Sequence, residues 1–333
     1  MFTWQAAAII LVVLIVLVLA LAIAIYRLAL NFALQAIRPK PVRYGAVLSE
    51  EVTRNHLDAS LMDLKYDKLF LTNRRGQELT ARLYPTASQT DRYILFVHGY
   101  NYPWIGALKY LRMLLDLGFN VFVPDMQAQG ESQGDYITFG ALESDDCLEW
   151  LSQIQKCAQT NGFDRARIGI MGESMGAVTA LMSMAKVNSS ELPLENRPLF
   201  CIADCPFSDW DSQMILQGQK RFGFNPSPLL PLVKSIIRRR AGADMDEVSA
   251  VKAAAAIKVP VLLFHGTADP LVPYTMSQEI AKANPDITLC LIEGAKHMNC
   301  YSTNPKEYRR QIEALLEKVR FADEIAEEIS VYL

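Results

Sequence analysis

The sequence is poor in the residues and spacings that build a metal centre. It has only four histidines, scattered along the chain, and its six cysteines include no Cys-x-x-Cys pair. Structural zinc sites draw on such closely spaced ligands, so no metal site is indicated. The cysteines also lack the spacing of a small disulfide scaffold, and most lie in apolar runs. We therefore expect buried free thiols in a reducing compartment.

The chain also has no surplus of positive charge. Its formal net charge is −3 and its pI is near 5.9, so the overall charge does not indicate binding to nucleic acid. It has 333 residues, of which 51% are apolar, and can therefore build a full hydrophobic core. This length suits one large α/β domain with an insertion, or two smaller domains.

No charged residue and no proline interrupts the apolar run from Ala6 to Ile25. As a helix, the run would measure about 30 Å, the thickness of the hydrocarbon layer of a bilayer. A cleaved signal peptide is the alternative, but it usually has a basic region before a shorter apolar stretch. Trp4 and Tyr26 flank the run, as interfacial aromatic residues do. We predict a retained transmembrane anchor over residues 1–30 and a linker segment over residues 31–64.

Basic residues are missing before the apolar run, whereas Arg27, Arg38, Lys40 and Arg43 follow it closely. Segments rich in lysine and arginine tend to stay on the cytoplasmic side of a membrane. The predicted anchor therefore has its N-terminus outside the cell and the large domain in the cytoplasm.

Short apolar segments alternate with amphipathic ones after residue 65, which predicts a mostly parallel sheet with helices on both faces. Residues 206–255 do not fit the alternation and predict a cap inserted after the sixth strand. An acidic C-terminal helix is predicted over residues 321–333. The predicted strands are 65–71, 78–84, 93–97, 120–123, 167–171, 199–203, 261–264 and 287–292, and the main helices are 105–117, 142–159, 175–187, 274–283 and 305–319.

The pentapeptide Gly172-Glu173-Ser174-Met175-Gly176 lies where a predicted strand meets a predicted helix. It fits the pattern Gly-x-Ser-x-Gly, in which a strained turn lifts the serine hydroxyl above the strand ends. The alternative is an ordinary serine N-cap of the helix. A nucleophilic serine needs a base, so the histidines decide between these two interpretations.

Only one of the four histidines, His297, lies in the loop after the last predicted strand. His56 is in a polar stretch ahead of the sheet, His265 ends a strand, and His98 is in a tight turn with Gly99. We therefore expect His56 to be solvated and His98 and His265 to have structural roles. His297 is the candidate base.

An acid must orient the base and stabilise its charged form. Asp269 follows a strand, in a loop whose course is set by Pro270 and Pro273. A helix N-cap is the alternative role for Asp269. Asp204, after the preceding strand, is a rival acid that lacks this loop pattern.

The oxyanion that forms on a substrate carbonyl needs hydrogen-bond donors. The Gly-x-Ser-x-Gly pattern predicts that these are the backbone N–H groups of Met175, after the serine, and of Tyr100, after the third strand.

Together these motifs resemble the α/β-hydrolases, and the resemblance covers about residues 65–320. It is closest to the serine-aminopeptidase-like and monoacylglycerol-lipase-like branch, including its membrane-anchored bacterial members. It rests, in chain order, on His98-Gly99, the pentapeptide, Asp269 before Val272-Pro273, and His297. Related proteins often have arginine where Gln127 or Gln129 stands here, so no charge role is carried over to that loop.

The resemblance implies a serine hydrolase in which Ser174 attacks, His297 is the base and Asp269 orients it, without a metal or an organic cofactor. The default partner is a small-molecule carboxylic ester. Peptidase, thioesterase and acyltransferase activities use the same triad and stay open, as does a binding role without catalysis. Apolar residues of the cap are expected to line an acyl pocket or to form the cap's own core: Phe207, Trp210, Met214, Phe222, Phe224, Leu229 and Leu230.

Overall fold

The computed structural model describes residues 4–187, 192–193 and 197–332, with the side chains of all of these but 222 and 320–332. The predicted pocket residue Phe222 therefore lies outside the described side chains. Leu333 of the predicted C-terminal helix lies outside the described residues.

Eight strands form one sheet in the order β1-β2-β4-β3-β5-β6-β7-β8. The pairings β1–β2 and β2–β4 are antiparallel, and all the others are parallel. The central strands are buried along their whole length because helices cover both faces of the sheet. The strands are β1 (Asp67–Thr72), β2 (Glu78–Tyr84), β3 (Arg92–Val97), β4 (Asn120–Pro124), β5 (Arg167–Glu173), β6 (Phe200–Asp204), β7 (Val261–Gly266) and β8 (Ile287–Ile292).

Helices pack on both faces of the sheet and form two hydrophobic cores. One core takes in residues of α4, α5, α8 and α9, and the other takes in residues of α2, α3 and α11. This confirms the predicted α/β-hydrolase architecture. The helices are α1 (Trp4–Ile37), α2 (Tyr44–Asn55), α3 (Leu108–Asp116), α4 (Glu143–Thr160), α5 (Met175–Val187), α6 (Trp210–Phe222), α7 (Leu230–Ala241), α8 (Ala250–Ala256), α9 (Tyr274–Lys282), α10 (Cys300–Thr303) and α11 (Pro305–Tyr332).

Helix α1 is one continuous helix of 34 residues. Its large apolar side chains are exposed as far as Leu28, and beyond that point Ala29, Ala33 and Ile37 are fully buried. These three residues recur every fourth position, so they share one helix face, and this part of α1 packs against α7. The predicted linker therefore does not begin at residue 31, because the helix continues into the core of the protein.

The cap lies between β6 and β7 and consists of α6 and α7 with short 3₁₀ turns. Its two ends are held together by a backbone bridge between Asp209 and Ser249. Helix α8 packs against α5 and α9 and belongs to the helical layer on the sheet. The insertion predicted over residues 206–255 is therefore shorter in the structure, since its last residues form α8.

Candidate active site

Ser174 lies in the sharp turn between β5 and α5, with a backbone φ of 54°. This left-handed conformation is unusual for a residue with a side chain and is typical of a strained functional turn. The turn needs both flanking glycines. A Cβ on Gly172 would lie 2.2 Å from the carbonyl oxygen of Gly176, and one on Gly176 would lie 2.0 Å from that of Val97.

The hydroxyl of Ser174 faces His297, whose loop follows β8. The distance from Ser174 Oγ to His297 Nε2 is 2.8 Å, and His297 Nδ1 lies 2.7 Å from Asp269 Oδ2. Because an ionised carboxylate only accepts, Nδ1 carries the proton and Nε2 is free to accept the serine hydroxyl. The structure thus joins the three predicted side chains in one hydrogen-bonded line.

Asp269 is held in place from several sides. Its Oδ1 accepts hydrogen bonds from the backbone N–H groups of Leu271 (2.8 Å) and Val272 (2.9 Å), so it shapes its own loop rather than capping a helix. Burial alone would raise the pKa of Asp269, but hydrogen bonds from His265 and His297 hold it well below its ordinary value. The carboxylate is therefore ionised at neutral pH and can stabilise a charged imidazole.

His265 is a buried neighbour of Asp269 whose contact was not predicted from the sequence. Its Nδ1 lies 2.6 Å from Ser277 Oγ, and its Nε2 lies 2.9 Å from the carbonyl oxygen of Val272 and 3.4 Å from Asp269 Oδ2. Nε2 therefore carries a proton shared between two acceptors. These contacts agree with the expectation that His265 has a structural role.

The rival residues lie in other environments. The carboxylate of Asp204 is fully buried and accepts hydrogen bonds from the hydroxyls of Tyr110 (3.2 Å) and Tyr308 (3.0 Å). His98 is also fully buried, with Nδ1 2.9 Å from the Gly99 carbonyl and Nε2 accepting from the Met126 N–H at 2.9 Å. Burial lowers the pKa of His98, so it is neutral. His56 is exposed and ends α2.

The backbone N–H groups of Met175 and Tyr100, both close to Ser174, have no backbone hydrogen-bond acceptor among the described residues. Both residues line the same cavity as Ser174. Met175 is the first residue of α5, where the helix leaves its N–H groups without partners. These are the donors predicted for the oxyanion.

The loop that carries Tyr100 is fixed by Gln129. The side-chain oxygen of Gln129 accepts a hydrogen bond from the backbone N–H of Asn101, and Tyr102 N–H donates to the Gly99 carbonyl at 3.3 Å. An arginine side chain, which the resemblance would allow at this position, has only hydrogen-bond donors. It could not accept the hydrogen bond from the backbone N–H of Asn101. Gln129 therefore has a structural role in the predicted oxyanion loop.

The cavity around Ser174 measures about 480 Å³, within the range of roughly 300–1,000 Å³ typical of small-molecule sites. Its wall combines the turn at Ser174, the cap and the end of α1. The apolar lining residues are Phe32, Ala36, Tyr100, Phe139, Met175, Phe207, Met214 and Leu271, and the basic ones are Lys40, Lys220 and Arg221.

A family model described as the alpha/beta hydrolase family matches residues 94–311 of the 333. The chain belongs to the alpha/beta hydrolase family. It is also similar to the uncharacterized protein YqkD of Bacillus subtilis, with 31% identity over 236 residues, which are 71% of this chain and 74% of YqkD.

Solved structures agree with the hydrolase fold. The Pyrococcus furiosus esterase Pf2001 superposes with a TM-score of 0.62 at 22% identity, over 85% of this chain and 98% of the esterase. A bacterial membrane phospholipase A superposes with a TM-score of 0.55 at 16% identity, over 92% of this chain and 98% of the phospholipase. Likeness at this level of identity establishes the fold.

The predicted pocket residues of the hydrolase's cap differ in their surroundings. All four of Phe207, Trp210, Met214 and Leu230 are buried in the core, and of these Phe207 and Met214 also line the cavity. Leu229 is partly buried against that core and the side chain of Phe224 is 41% exposed. The cap therefore contributes to both the pocket and the core.

A buried charged cluster of the hydrolase lies directly behind Ser174. Lys109 Nζ is 2.7 Å from Glu173 Oε2 and 3.3 Å from Glu51 Oε1, and all three side chains are at most 1% exposed. Burial raises the pKa of Glu173 to about 7, against the attraction of Lys109 and with the help of repulsion from Glu51. Glu51 lies on α2, a helix for which the sequence predicts no function.

Helix α2 also holds the loop of His297. Arg54 donates from its guanidinium to the backbone carbonyl of His297. In return, the side-chain amide of Asn299 donates to the carbonyl of Arg54 (3.1 Å) and to Asn55 Oδ1 (2.7 Å). A segment ahead of the sheet thereby fixes the candidate base, although 243 residues separate Arg54 from His297.

Cys205 Sγ, Asp269 and His297 lie close enough together, within 4.8 Å, to be considered as metal ligands. Burial and the neighbouring carboxylates raise the pKa of the Cys205 thiol well above its ordinary value, so it stays protonated. Asp269 and His297 are already hydrogen-bonded to each other. This set of donors does not fit a resident metal of the hydrolase.

Proposed function

We propose that the chain is a serine hydrolase that cleaves a carboxylic ester through an acyl-enzyme. The observation that carries this proposal is the hydrogen-bonded line from Ser174 through His297 to Asp269, in a cavity beside the two predicted oxyanion N–H groups. A nucleophile, a base, an acid and an oxyanion site are the parts that acyl transfer requires.

In the proposed cycle, Ser174 Oγ attacks the ester carbonyl while His297 Nε2 takes its proton. The N–H groups of Met175 and Tyr100 bind the oxyanion, a contribution worth about 3 kcal/mol for each donor. His297 then returns the proton to the leaving alcohol, which leaves an acyl-serine. Water then attacks the acyl-serine carbonyl while His297 takes a proton from it. The bond between the acyl group and Ser174 Oγ breaks, the acid is released, and His297 returns the proton to Ser174 Oγ.

Several features favour an ester over an amide. Pf2001 and the phospholipase are described by names that denote ester hydrolysis, and esters are the easier chemistry. A peptidase would need a group that binds an amine, for which Asp209 and Asp211 are the candidates in the cap. Asp209 is instead the N-cap of α6, because its Oδ1 accepts a hydrogen bond from the backbone N–H of Ser212 at 2.9 Å. Asp211 is paired with Lys234, whose Nζ lies 2.9 Å from Asp211 Oδ2. Thioesterase and acyltransferase activities remain the alternatives on the same triad.

A fluorophosphonate probe tests the nucleophile. It should label the wild-type protein and Ser227→Ala, which removes an exposed serine, and should not label Ser174→Ala. Labelling of Ser174→Ala, or no labelling of the wild type, contradicts the proposal and favours a binding protein with a hydrolase fold. Hydrolysis of p-nitrophenyl esters of graded chain length then establishes ester cleavage, and product analysis with a competing alcohol separates hydrolysis from acyl transfer.

We also propose that α1 is a retained single-pass anchor with the N-terminus outside and the catalytic domain in the cytoplasm. Residues 7–25 are apolar and exposed, and their helix is about 30 Å long, which suffices to cross the hydrocarbon layer of a bilayer. The end of the same helix is buried in the domain, which favours a permanent element over a cleaved leader. Arg27, Arg38, Lys40 and Arg43 support the orientation.

A further inference from the structure

The apolar span and the catalytic cavity are joined by one rigid helix. The span ends near Tyr26 and Arg27, and α1 continues without a break to Ile37. At a rise of about 1.5 Å per residue, Phe32 lies roughly 8 Å and Ala36 roughly 14 Å beyond Arg27 along the helix axis. If the span crosses a bilayer, Phe32 lies at the level of the headgroups and Ala36 just beyond them.

This same part of α1 forms a wall of the cavity that contains Ser174. Phe32, Gln35 and Ala36 line the cavity and recur at the spacing of one helix face. The neighbouring face of α1, with Ala29 and Ala33, is buried against the cap. The cavity is therefore fixed at a set distance from the membrane, and α1 contributes the apolar side chains of Phe32 and Ala36 to its wall.

The chain is also tied to the oxyanion loop where α1 ends. The backbone N–H of Lys40 donates to Asn101 Oδ1 at 2.9 Å, and the backbone N–H of Ile137 donates to the carbonyl of Ile37 at 2.7 Å. These contacts leave no flexible tether between the anchor and the site. A substrate that enters beside α1 reaches Ser174 without first leaving the vicinity of the membrane.

The charged residues that line this cavity are all basic. They are Lys40, Lys220 and Arg221, and the described lining contains no aspartate or glutamate. All three residues are exposed, so they would act at the mouth of the cavity rather than in its apolar part. Charges of one sign around an opening attract ligands of the opposite sign. An apolar interior with a basic mouth suits an acyl chain attached to an anionic group.

We propose, on the basis of the ester-hydrolase function proposed above, that the substrate is an anionic acyl-ester lipid taken from the membrane in which α1 is embedded. The acyl chain enters along Phe32 and Ala36, and the anionic group stays near Lys40 and Lys220. The ester carbonyl is then placed between Ser174 Oγ and the two oxyanion N–H groups.

The source of the substrate is tested with the full-length protein in vesicles of ether-linked phosphatidylcholine, which has no carboxylic ester. Acyl-labelled phosphatidylglycerol is placed either in the same vesicles as the protein or in separate ones. We expect fatty acid release to be at least about tenfold faster in the same vesicles, because the protein takes its substrate from its own membrane. Equal rates, or no release, overturn the proposal.

The path along α1 is tested with Ala36→Trp, which places an indole in the cavity, and with Asn31→Trp as a matched control, since Asn31 is exposed and not part of the lining. The ratio of phosphatidylglycerol hydrolysis to p-nitrophenyl acetate hydrolysis should fall about tenfold or more in Ala36→Trp and stay at the wild-type value in Asn31→Trp. If this ratio is the same in the wild type and in both variants, the proposal that the acyl chain enters along α1 is overturned. Fluorophosphonate labelling verifies that each variant is folded.

The basic mouth is tested with Lys40→Gln combined with Lys220→Gln, which should fold because both side chains are exposed. The preference for phosphatidylglycerol over acyl-labelled phosphatidylcholine should fall at least about threefold. The control Lys258→Gln with Lys306→Gln changes the same charge away from the cavity and should keep the preference. If the wild type shows no preference for phosphatidylglycerol over phosphatidylcholine, the proposal that the substrate is anionic is overturned. A wild type that cleaves p-nitrophenyl acetate but no lipid overturns this inference alone, whereas one that cleaves neither and is not labelled overturns the proposed function as well.

Discussion

Arg54 of α2 donates a hydrogen bond to the backbone carbonyl of His297. This contact joins α2, the helix that follows the proposed anchor, to the loop of the candidate base. The same helix reaches the oxyanion loop, since Tyr102 donates its hydroxyl to Glu51 Oε1 at 2.7 Å. Helix α2 thus contacts both halves of the proposed site without lining the cavity itself.

Replacing Arg54 should therefore lower activity without removing any reacting group. In Arg54→Met, the His297 loop loses a donor on its backbone, and a small displacement of the imidazole can reduce the rate about tenfold to a hundredfold. We expect kcat for a p-nitrophenyl ester to fall and KM to change little. Arg165→Met, at an exposed arginine, is the control. An unchanged kcat in Arg54→Met would show that the loop needs no support from α2.

Asp269 and Asp204 give a direct comparison of the two acids considered from the sequence. Asp269→Asn should lower kcat by about 10³–10⁴-fold, because the amide no longer stabilises a charged His297 in the correct orientation. Asp204→Asn should lower kcat less than tenfold, since the hydroxyls of Tyr110 and Tyr308 can still donate to an amide oxygen. Steady-state kinetics of both variants with one ester decides the matter. The reverse ranking would assign the acid to Asp204.

Glu173 predicts a pH-dependent stability. The pKa of Glu173 is raised to about 7 from an ordinary value of 4.5, so the folded chain keeps a proton that the unfolded chain has lost. The contribution of Glu173 to the free energy of unfolding is therefore greatest below about pH 4.5. It falls as the pH rises towards 7 and does not change further above that pH. One pKa unit corresponds to about 1.4 kcal/mol, so the effect amounts to a few kcal/mol at most.

The test compares thermal unfolding of the wild type and Glu173→Gln between pH 5 and 8. The glutamine has no proton to lose, so the variant should lose less stability over this range than the wild type. Asp146, whose pKa burial also raises to about 7, contributes in the same direction to both proteins and cancels in the comparison. Parallel curves for the two proteins would show that Glu173 is not titrating there.

The sequence predicts the fold and the three candidate side chains because each of them is part of a local pattern. Ser174 has its two glycines, Asp269 has its prolines, and His297 follows the last strand. Parallel strands end at one edge of the sheet, so residues after strand ends meet there. The fold is confirmed by the family match, whereas the catalytic roles of these residues stay predictions.

The contacts of α2 could not be predicted in this way. Arg54 and Asn55 lie in a polar stretch, and nothing local distinguishes them from solvated residues. Their partners His297 and Asn299 are more than two hundred residues away and are brought near by the packing of α2 beside α3. The continuation of α1 did leave a signal. Ala29, Ala33 and Ile37 recur at helical spacing past Arg27, which indicates one buried face.

The proposed orientation of the anchor leads to a final prediction about access from the two sides of the membrane. In intact cells, a membrane-impermeant maleimide should label Gln5→Cys, because the N-terminus is outside, and should label Gln159→Cys only after lysis, since Gln159 is exposed on the catalytic domain. The wild type supplies the background from its own cysteines, of which only Cys157 is not buried. Labelling of Gln159→Cys in intact cells would reverse the orientation, and a lipid substrate would then have to come from the outer surface. Recovery of a shortened protein in the soluble fraction would instead show that α1 is a cleaved leader, and the cavity would lose the wall on which the lipid proposal depends.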